Sequence, residues 1–255
     1  MFTAETLRRL LPASLQTLAI TTVETTTSTN QVAESQVAAG KQPPFWLLAN
    51  AQTNGVGRRG KAFFSPAQTG LYMTYVLPAP RPALLSLLTP AAGVALHLAA
   101  QQQLGVKTQI KWVNDLLIGD KKVAGILASR LTNGTILVGI GINVAPAVAK
   151  PDITIDLPVG TLLPHQPTKD IRPALAAAWL SHFTRMLAAP ETIMPSYRPA
   201  AAWVGQPVRL SGAHQPVDGM LQGFADDGSL LLQTTTGLQQ FNSGSIRLQP
   251  AKSPR

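Results

Sequence analysis

The period of apolar and polar positions changes several times along the chain, and each change marks an element. Residues 17–23 (TLAITTV) are rich in β-branched side chains and predict a strand. A polar cluster from Thr25 to Asn30 follows, able to cap a helix that starts near Asn30 and ends at Gly40. Residues 45–51 (FWLLANA), apolar but for Asn50 and lying behind Pro43-Pro44, predict a buried strand, and residues 71–77 (LYMTYVL) predict another. Thr89 and Pro90 read as the N-cap and first-turn pair of a helix that Gly105 stops. Short apolar runs at 109–113, 116–118, 123–131 and 135–144 are separated by Gly119-Asp120 and Asn133-Gly134, both hairpin signals. This order fits an α/β or α+β sheet with some antiparallel pairing. Residues 145–166 read as a proline-rich loop, 168–187 as a helix with a Trp179/Phe183 stripe, and 188–199 as a proline-punctuated linker. From Ala201 onward, short strands alternate with glycine-containing turns at intervals of about ten residues, the pattern of a small antiparallel barrel.

Composition narrows the class. The chain has 255 residues, 45% of them hydrophobic and 13% charged, which excludes a disordered polypeptide. No apolar run approaches the roughly 20 residues a membrane span needs, and the N-terminus lacks a secretory pattern, so a cytoplasmic protein is expected. The absence of cysteine excludes a disulfide framework, a thiolate zinc site and a cysteine nucleophile. Lys and Arg number 21 against 12 Asp and Glu, a formal charge of +9. Residues 35–114 hold Lys41, Arg58, Arg59, Lys61, Arg81, Lys107 and Lys111 and no acid. Such a field suits a nucleic acid, a nucleotide or an acidic protein surface. Aromatic residues make up 5%, and no helix-turn-helix or zinc-finger spacing is visible.

Three clusters carry candidate chemistry. Gly55, Gly57 and Gly60 satisfy G-x-G-x-x-G, but residues 61–66 (KAFFSP) cannot open a helix and no acid follows until Asp115. A dinucleotide site is therefore disfavoured. What the loop offers is flexible amides followed by Arg58 and Arg59, whose guanidinium forks fit carboxylate or phosphate oxygens. The alternative is an ordinary basic surface hairpin. The second cluster is Lys111-Trp112-Val113-Asn114-Asp115 with Lys122-Val123-Ala124-Gly125-Ile126-Leu127. A lysine with apolar neighbours on a strand either reaches out to solvent or is held inward to meet an anion. The third, Gly139-Ile140-Gly141-Ile142-Asn143, places two glycines in a strand, which often marks close approach by a ligand.

The ordered set resembles the bacterial biotin protein ligases. The resemblance rests on Ser28-Thr29-Asn30 ahead of a helix, Gln52 and the 55–60 loop, Phe64-Ser65-Pro66, Lys111-Trp112-Val113-Asn114-Asp115, Lys122-Val123-Ala124-Gly125-Ile126-Leu127 and Gly141-Ile142-Asn143. It covers residues 25–145 in order and spacing, and the C-terminal texture extends it. It implies an α+β fold, a mixed β-sheet flanked by helices of the class II aminoacyl-tRNA synthetase/biotin ligase-like kind. A catalytic domain over residues 1–199 would be followed by a small C-terminal SH3-like β-barrel over 200–255.

The implied activity joins biotin to ATP as biotinyl-5′-AMP, then passes biotin to a lysine of a biotin carboxyl carrier protein. The substrates would be ATP and biotin, with Mg²⁺ assisting, and no metal ligands are assigned. By the same matching, Arg58 and Lys122 meet the biotin carboxylate and phosphate, with Lys111 and Asp115 completing the catalytic set. Ser28, Thr29, Asn30 and Gln52 hydrogen-bond the ureido ring, and Gly55, Val56 and Gly57 contact biotin. Arg59, Asn114 and Asn143 are expected on the nucleotide. Asp115 could orient Lys111 or help position the acceptor lysine. Three departures stand out: Val56 where the family has an arginine, Asn50 for an acid, and Val113 for proline. Residues before Thr17 allow only a short helix, so neither a winged-helix DNA-binding module nor a repressor role is implied. A homodimer is compatible with the resemblance. Two alternatives stay open: a lipoate- or octanoate-type ligase or transferase of the same fold, and a non-catalytic biotin-binding or nucleic-acid-binding module.

Overall fold

The computed structural model describes residues 3–147, 158–212 and 215–249. Helix α1 (Ala4–Leu10) leads into strand β1 (Ala19–Thr26), helix α2 (Thr29–Ala38), β2 (Phe45–Gln52), β3 (Gly70–Leu77) and helix α3 (Leu88–Leu104). A run of strands follows: β4 (Gln109–Lys111), β5 (Asp115–Ile118), β6 (Lys121–Arg130) and β7 (Ile136–Asn143). Helices α4 (Arg172–Ala188) and α5 (Ile193–Ala200) precede β8 (Pro207–Ser211), β9 (Val217–Phe224), β10 (Leu230–Thr234), β11 (Gly237–Phe241) and β12 (Ser245–Leu248).

The first seven strands form one sheet in the order β1-β2-β3-β7-β6-β5-β4. Only β1 and β2 pair in parallel, because α2 returns the chain to the same edge, while every other pairing is antiparallel. Gly119 and Asp120 form the two-residue turn of the β5–β6 hairpin. Both faces of β2 are covered, which explains its largely apolar run. Phe45 and Leu47 face α2 with Ala33 and Val37, whereas Trp46 and Leu48 join the larger cluster under α3 and α4. Each such side chain, fully buried, contributes roughly 1.5–3 kcal/mol relative to exposure.

The last five strands form an antiparallel sheet in the order β11-β10-β9-β8-β12. Among the described residues no pairing joins β11 to β12, so the expected barrel is an open SH3-like sheet rather than a closed one. Its inner residues Val208, Leu221, Leu230 and Ile246 belong to the same apolar cluster as the central sheet. Trp112 Nε1 donates to the Gly228 carbonyl at 3.0 Å, and Ala202 N to that of Ile110 at 2.9 Å.

Two expectations are corrected. Residues 188–199 are not a linker: α5 buries Ile193, Met194, Tyr197 and Ala200, and Tyr197 meets Phe224 edge-on at 5.1 Å. Their spacing makes one apolar helical face; Pro195 falls in its first turn, where the missing N–H costs little, and Pro199 lies inside its last turn. Helix α3 begins at Leu88, with Leu87 as N-cap, so Thr89 lies inside the first turn and caps nothing. The expected loop at 145–166 lies partly outside the described residues. Among the described residues no helix is long and apolar enough to cross a membrane.

Candidate active site

The site lies where β2, β6, β7 and the start of α2 converge beneath the 55–63 loop. Ser28 is the N-cap of α2 and is buried, but its hydroxyl makes no capping bond. The polar cluster is ordered laterally instead. Gln52 Oε1 accepts from Thr29 N at 2.8 Å and Thr29 Oγ1 at 3.2 Å, and Gln52 Nε2 donates to Ser65 Oγ at 2.9 Å. The buried Thr74 hydroxyl donates to Asn30 Oδ1 at 2.5 Å, with Thr29 Oγ1 2.9 Å away. Thr74 was invisible to sequence reasoning because its strand, β3, reads simply as a buried run.

The two glycines of β7 line a small recess and also make room for side chains of the protein itself. A Cβ on Gly139 would lie 2.0 Å from Asn30 Oδ1, and one on Gly141 would lie 2.3 Å from the Phe63 ring. The missing side chains therefore admit the protein's own Asn30 and Phe63, which shape the pocket. Phe63 borders both a small recess of about 50 Å³, lined also by Ser28, Asn30, Gln52 and Val56, and a cleft of about 830 Å³.

The 55–63 loop is a narrow hairpin. Gly57 N donates to Lys61 O and Phe63 N to Gly55 O, each at 2.7 Å, with Val56 bridged to Ala62 and Arg58–Gly60 forming the tip. No helix follows it, consistent with the rejection of a dinucleotide site.

Across the cleft, β4 and β5 put Lys111 opposite Asp115, and β6 brings Lys122 to the same carboxylate. Lys122 Nζ lies 2.6 Å from Asp115 Oδ1, and Lys111 Nζ lies 3.2 Å from Oδ2. Asn114 Nδ2 donates to Asp115 Oδ1 at 3.2 Å, while its Oδ1 accepts from Arg58 Nη1 at 2.9 Å. Arg58 Nη2 donates further to Gly244 O at 3.3 Å. Three cations thus surround one carboxylate, leaving a local excess of two positive charges. Burial pulls the Asp115 carboxyl upward, but Lys122 and Lys111 outweigh it and hold the group below its ordinary value. Burial lowers Lys111, with Asp115 opposing, and lowers Arg58 likewise. A desolvated cation surplus beside an open cleft is a receptor for an anion.

Two expected nucleotide residues face other groups. Asn143 Nδ2 donates to Gly160 O at 3.1 Å, bracing the 158–162 segment of the cleft wall, and Arg59 Nη2 donates to Gly212 O at 2.9 Å. The C-terminal sheet supplies Ser245 and Arg247 to the same cleft. Among the described lining residues Asp115 is the one carboxylate, and both its oxygens are engaged. No group of three His, Cys, Asp or Glu converges among the described residues.

The family model for the biotin/lipoate A/B protein ligases matches residues 22–145, and the model for the biotin protein ligase C-terminal domain matches residues 204–248. The biotin–[acetyl-CoA-carboxylase] ligase of Paracoccus denitrificans is 29% identical over 235 residues, covering 87% of this chain and 97% of that protein. The bifunctional ligase/repressor BirA of Bacillus subtilis is 28% identical over 240 residues, covering 87% of this chain and 71% of its own. Among solved structures, the biotin protein ligase from Aquifex aeolicus in complex with biotin and ATP superposes with a TM-score of 0.78 at 24% identity, over 91% of this chain and 99% of that one. The Leishmania major biotin protein ligase in complex with biotinyl-5-AMP superposes with a TM-score of 0.61 at 22% identity, over 88% and 98%. The chain thus carries the domains of the biotin protein ligase family, a biotin/lipoate A/B protein ligase domain followed by a biotin protein ligase C-terminal domain.

Proposed function

We infer that the protein is an ATP-dependent biotin–protein ligase acting on a biotin carboxyl carrier domain. The observation that carries this reading is the cation surplus around Asp115, set between a small polar recess and a larger basic cleft. The recess matches a ureido ring in size and polarity, with Ser28, Thr29, Asn30 and Gln52 as its polar border. The biotin carboxylate then points toward Arg58 and Lys122, and the triphosphate of Mg·ATP lies in the cleft beyond.

In the first step a biotin carboxylate oxygen attacks the α-phosphorus and pyrophosphate leaves. Two anions must approach each other, so preorganised cations lower the barrier. Lys111, Lys122 and Arg58 supply them, and Asp115 and Asn114 fix their positions. In the second step a neutral lysine amine of the acceptor attacks the acyl carbonyl of the mixed anhydride and AMP departs. Asp115 is ill suited to take the amine proton, because both its oxygens are occupied and its carboxyl is held below its ordinary value. It acts as the positioning group for Lys111 and Lys122. We place the enzyme in the cytoplasm, where ATP and carboxylases meet.

Biotin-dependent pyrophosphate release from Mg·ATP tests the first step. The expected result is release with biotin and little or none with lipoate. Equal release with lipoate, or none with either from folded protein, would overturn the assignment.

A further inference from the structure

The glycine hairpin is fastened to a part of the chain far from it in sequence. Arg59, at its tip, has φ 58° and ψ 32°, a left-handed conformation uncommon for a residue with a side chain. Its Nη2 donates to the carbonyl of Gly212, 153 residues further on, at 2.9 Å. Gly212 is itself at φ +124°, and a Cβ there would lie 1.9 Å from Arg59 Nη2, so the seat accepts no side chain while the guanidinium occupies it. The neighbouring Arg58 makes the parallel contact to Gly244 O. Within the hairpin, the bonds Gly57 N–Lys61 O and Phe63 N–Gly55 O fix its shape but not its tilt over the cleft. Its base is tied by Asn54 N to Thr27 O at 2.9 Å, so the tilt of the far end rests on the external ties of its tip. That tilt also decides whether Phe63 stays seated against Gly141, where it borders both recess and cleft.

We propose that Arg59 is a positioning residue rather than a nucleotide contact: through the Gly212 carbonyl it uses the C-terminal sheet as a strut that holds the hairpin over the mixed anhydride and keeps water out. The role builds on the ligase reading above. If water reaches the anhydride, it adds to the acyl carbonyl and AMP leaves, regenerating biotin. ATP is then consumed to AMP and pyrophosphate with no biotin on the acceptor. A strut that fails therefore shows itself as pyrophosphate released in excess of biotin transferred.

The test uses the full chain with Arg59→Ala, Gly212→Ala and the double variant. Pyrophosphate and biotinylated acceptor are both counted, and chymotrypsin cleavage after Phe63 or Phe64 reports exposure of the hairpin. Both single variants are expected to raise the pyrophosphate-to-biotin ratio and the cleavage rate several-fold, and the double variant to equal the worse single one, because both remove one contact. An unchanged ratio and cleavage rate in Arg59→Ala would overturn the proposal. So would effects that multiply in the double variant, which would mean that Arg59 acts on the nucleotide independently of Gly212. Should Gly212→Ala not fold, cleavage of Arg59→Ala decides alone. A wild-type protein that releases no pyrophosphate with biotin would contradict the ligase reading instead, and the cleavage assay would still decide the strut.

Discussion

Replacing Lys122 with Met keeps the length and the apolar stem of the side chain and removes its ammonium group. In the folded protein that group lies 2.6 Å from Asp115 Oδ1 and is about one-quarter exposed, at 27%. The site then goes from three cations and one carboxylate to two and one, halving its positive surplus. The same loss at an ordinary surface pair would cost about 1 kcal/mol or less, under tenfold in any rate. Removing one preorganised group that faces developing charge costs about 2.7–4 kcal/mol, or about 10²–10³ in rate. The fold should suffer much less than the about 3–5 kcal/mol of an orphaned buried charge, because Asp115 keeps Lys111 and Asn114. The assay is biotin-dependent pyrophosphate release at saturating biotin and Mg·ATP without acceptor, alongside a thermal melt. A rate loss of about a hundredfold or more with a small melting shift is expected. A rate within a few-fold of wild type would refute the role assigned to this lysine.

Other perturbations probe neighbouring parts of the account. Gly139→Ala places a Cβ where Asn30 Oδ1 now sits, so KM for biotin should rise about fivefold or more on the scale of about 1–3 kcal/mol for a displaced buried polar contact, while KM for ATP moves little. Equal shifts in both constants would count against a recess for the ureido ring. Val56→Arg restores the guanidinium that the family carries at the border of the recess, and biotin binding measured by calorimetry should tighten several-fold; weaker binding would contradict that placement. Burial pulls the carboxyls of Asp115 and Asp170 upward, but their cationic partners outweigh it, so both sit below their ordinary value in the folded chain. Their contribution to stability is therefore complete above the unfolded carboxyl value, about 3.9, and lost as pH falls through the lower folded values. Urea midpoints should drop on acidification below about pH 4. Asp170→Asn should lower the neutral-pH midpoint and flatten that drop, and an unaltered pH slope would show that the Asp170–Arg172 pair contributes nothing.

Much of the central sheet was legible because its strands announce themselves locally. The run at 45–51 is apolar on both faces since α2 covers one and α3 and α4 cover the other, and Gly119-Asp120 sits at a two-residue hairpin turn. The candidate site was readable as an ordered set of short motifs, and β4, β5 and β6 bring Lys111 and Lys122 to the Asp115 carboxylate. What escaped depends on partners distant in the chain. Phe63 against Gly141 and Asn30 against Gly139 are steric fits between segments whose spacing shows nothing of their meeting. Helix α5 was missed because its two prolines hid an apolar face that acquires meaning only against Phe224 of the C-terminal sheet. Asn50 stood out as a departure, yet its reason lies elsewhere: it donates to Glu24 Oε1 and accepts from Arg172 Nη1, each at 2.5 Å, so the negative charge has moved to the neighbouring strand.

The central claim is that the surplus of positive charge around Asp115 serves to make and hand on an acyl-adenylate of biotin. Mass spectrometry of a biotin carboxyl carrier domain incubated with the protein, biotin and Mg·ATP tests this most directly. The account predicts one biotinyl group on a single acceptor lysine, dependent on all three components. An acceptor of unchanged mass beside folded protein that binds biotin would contradict it.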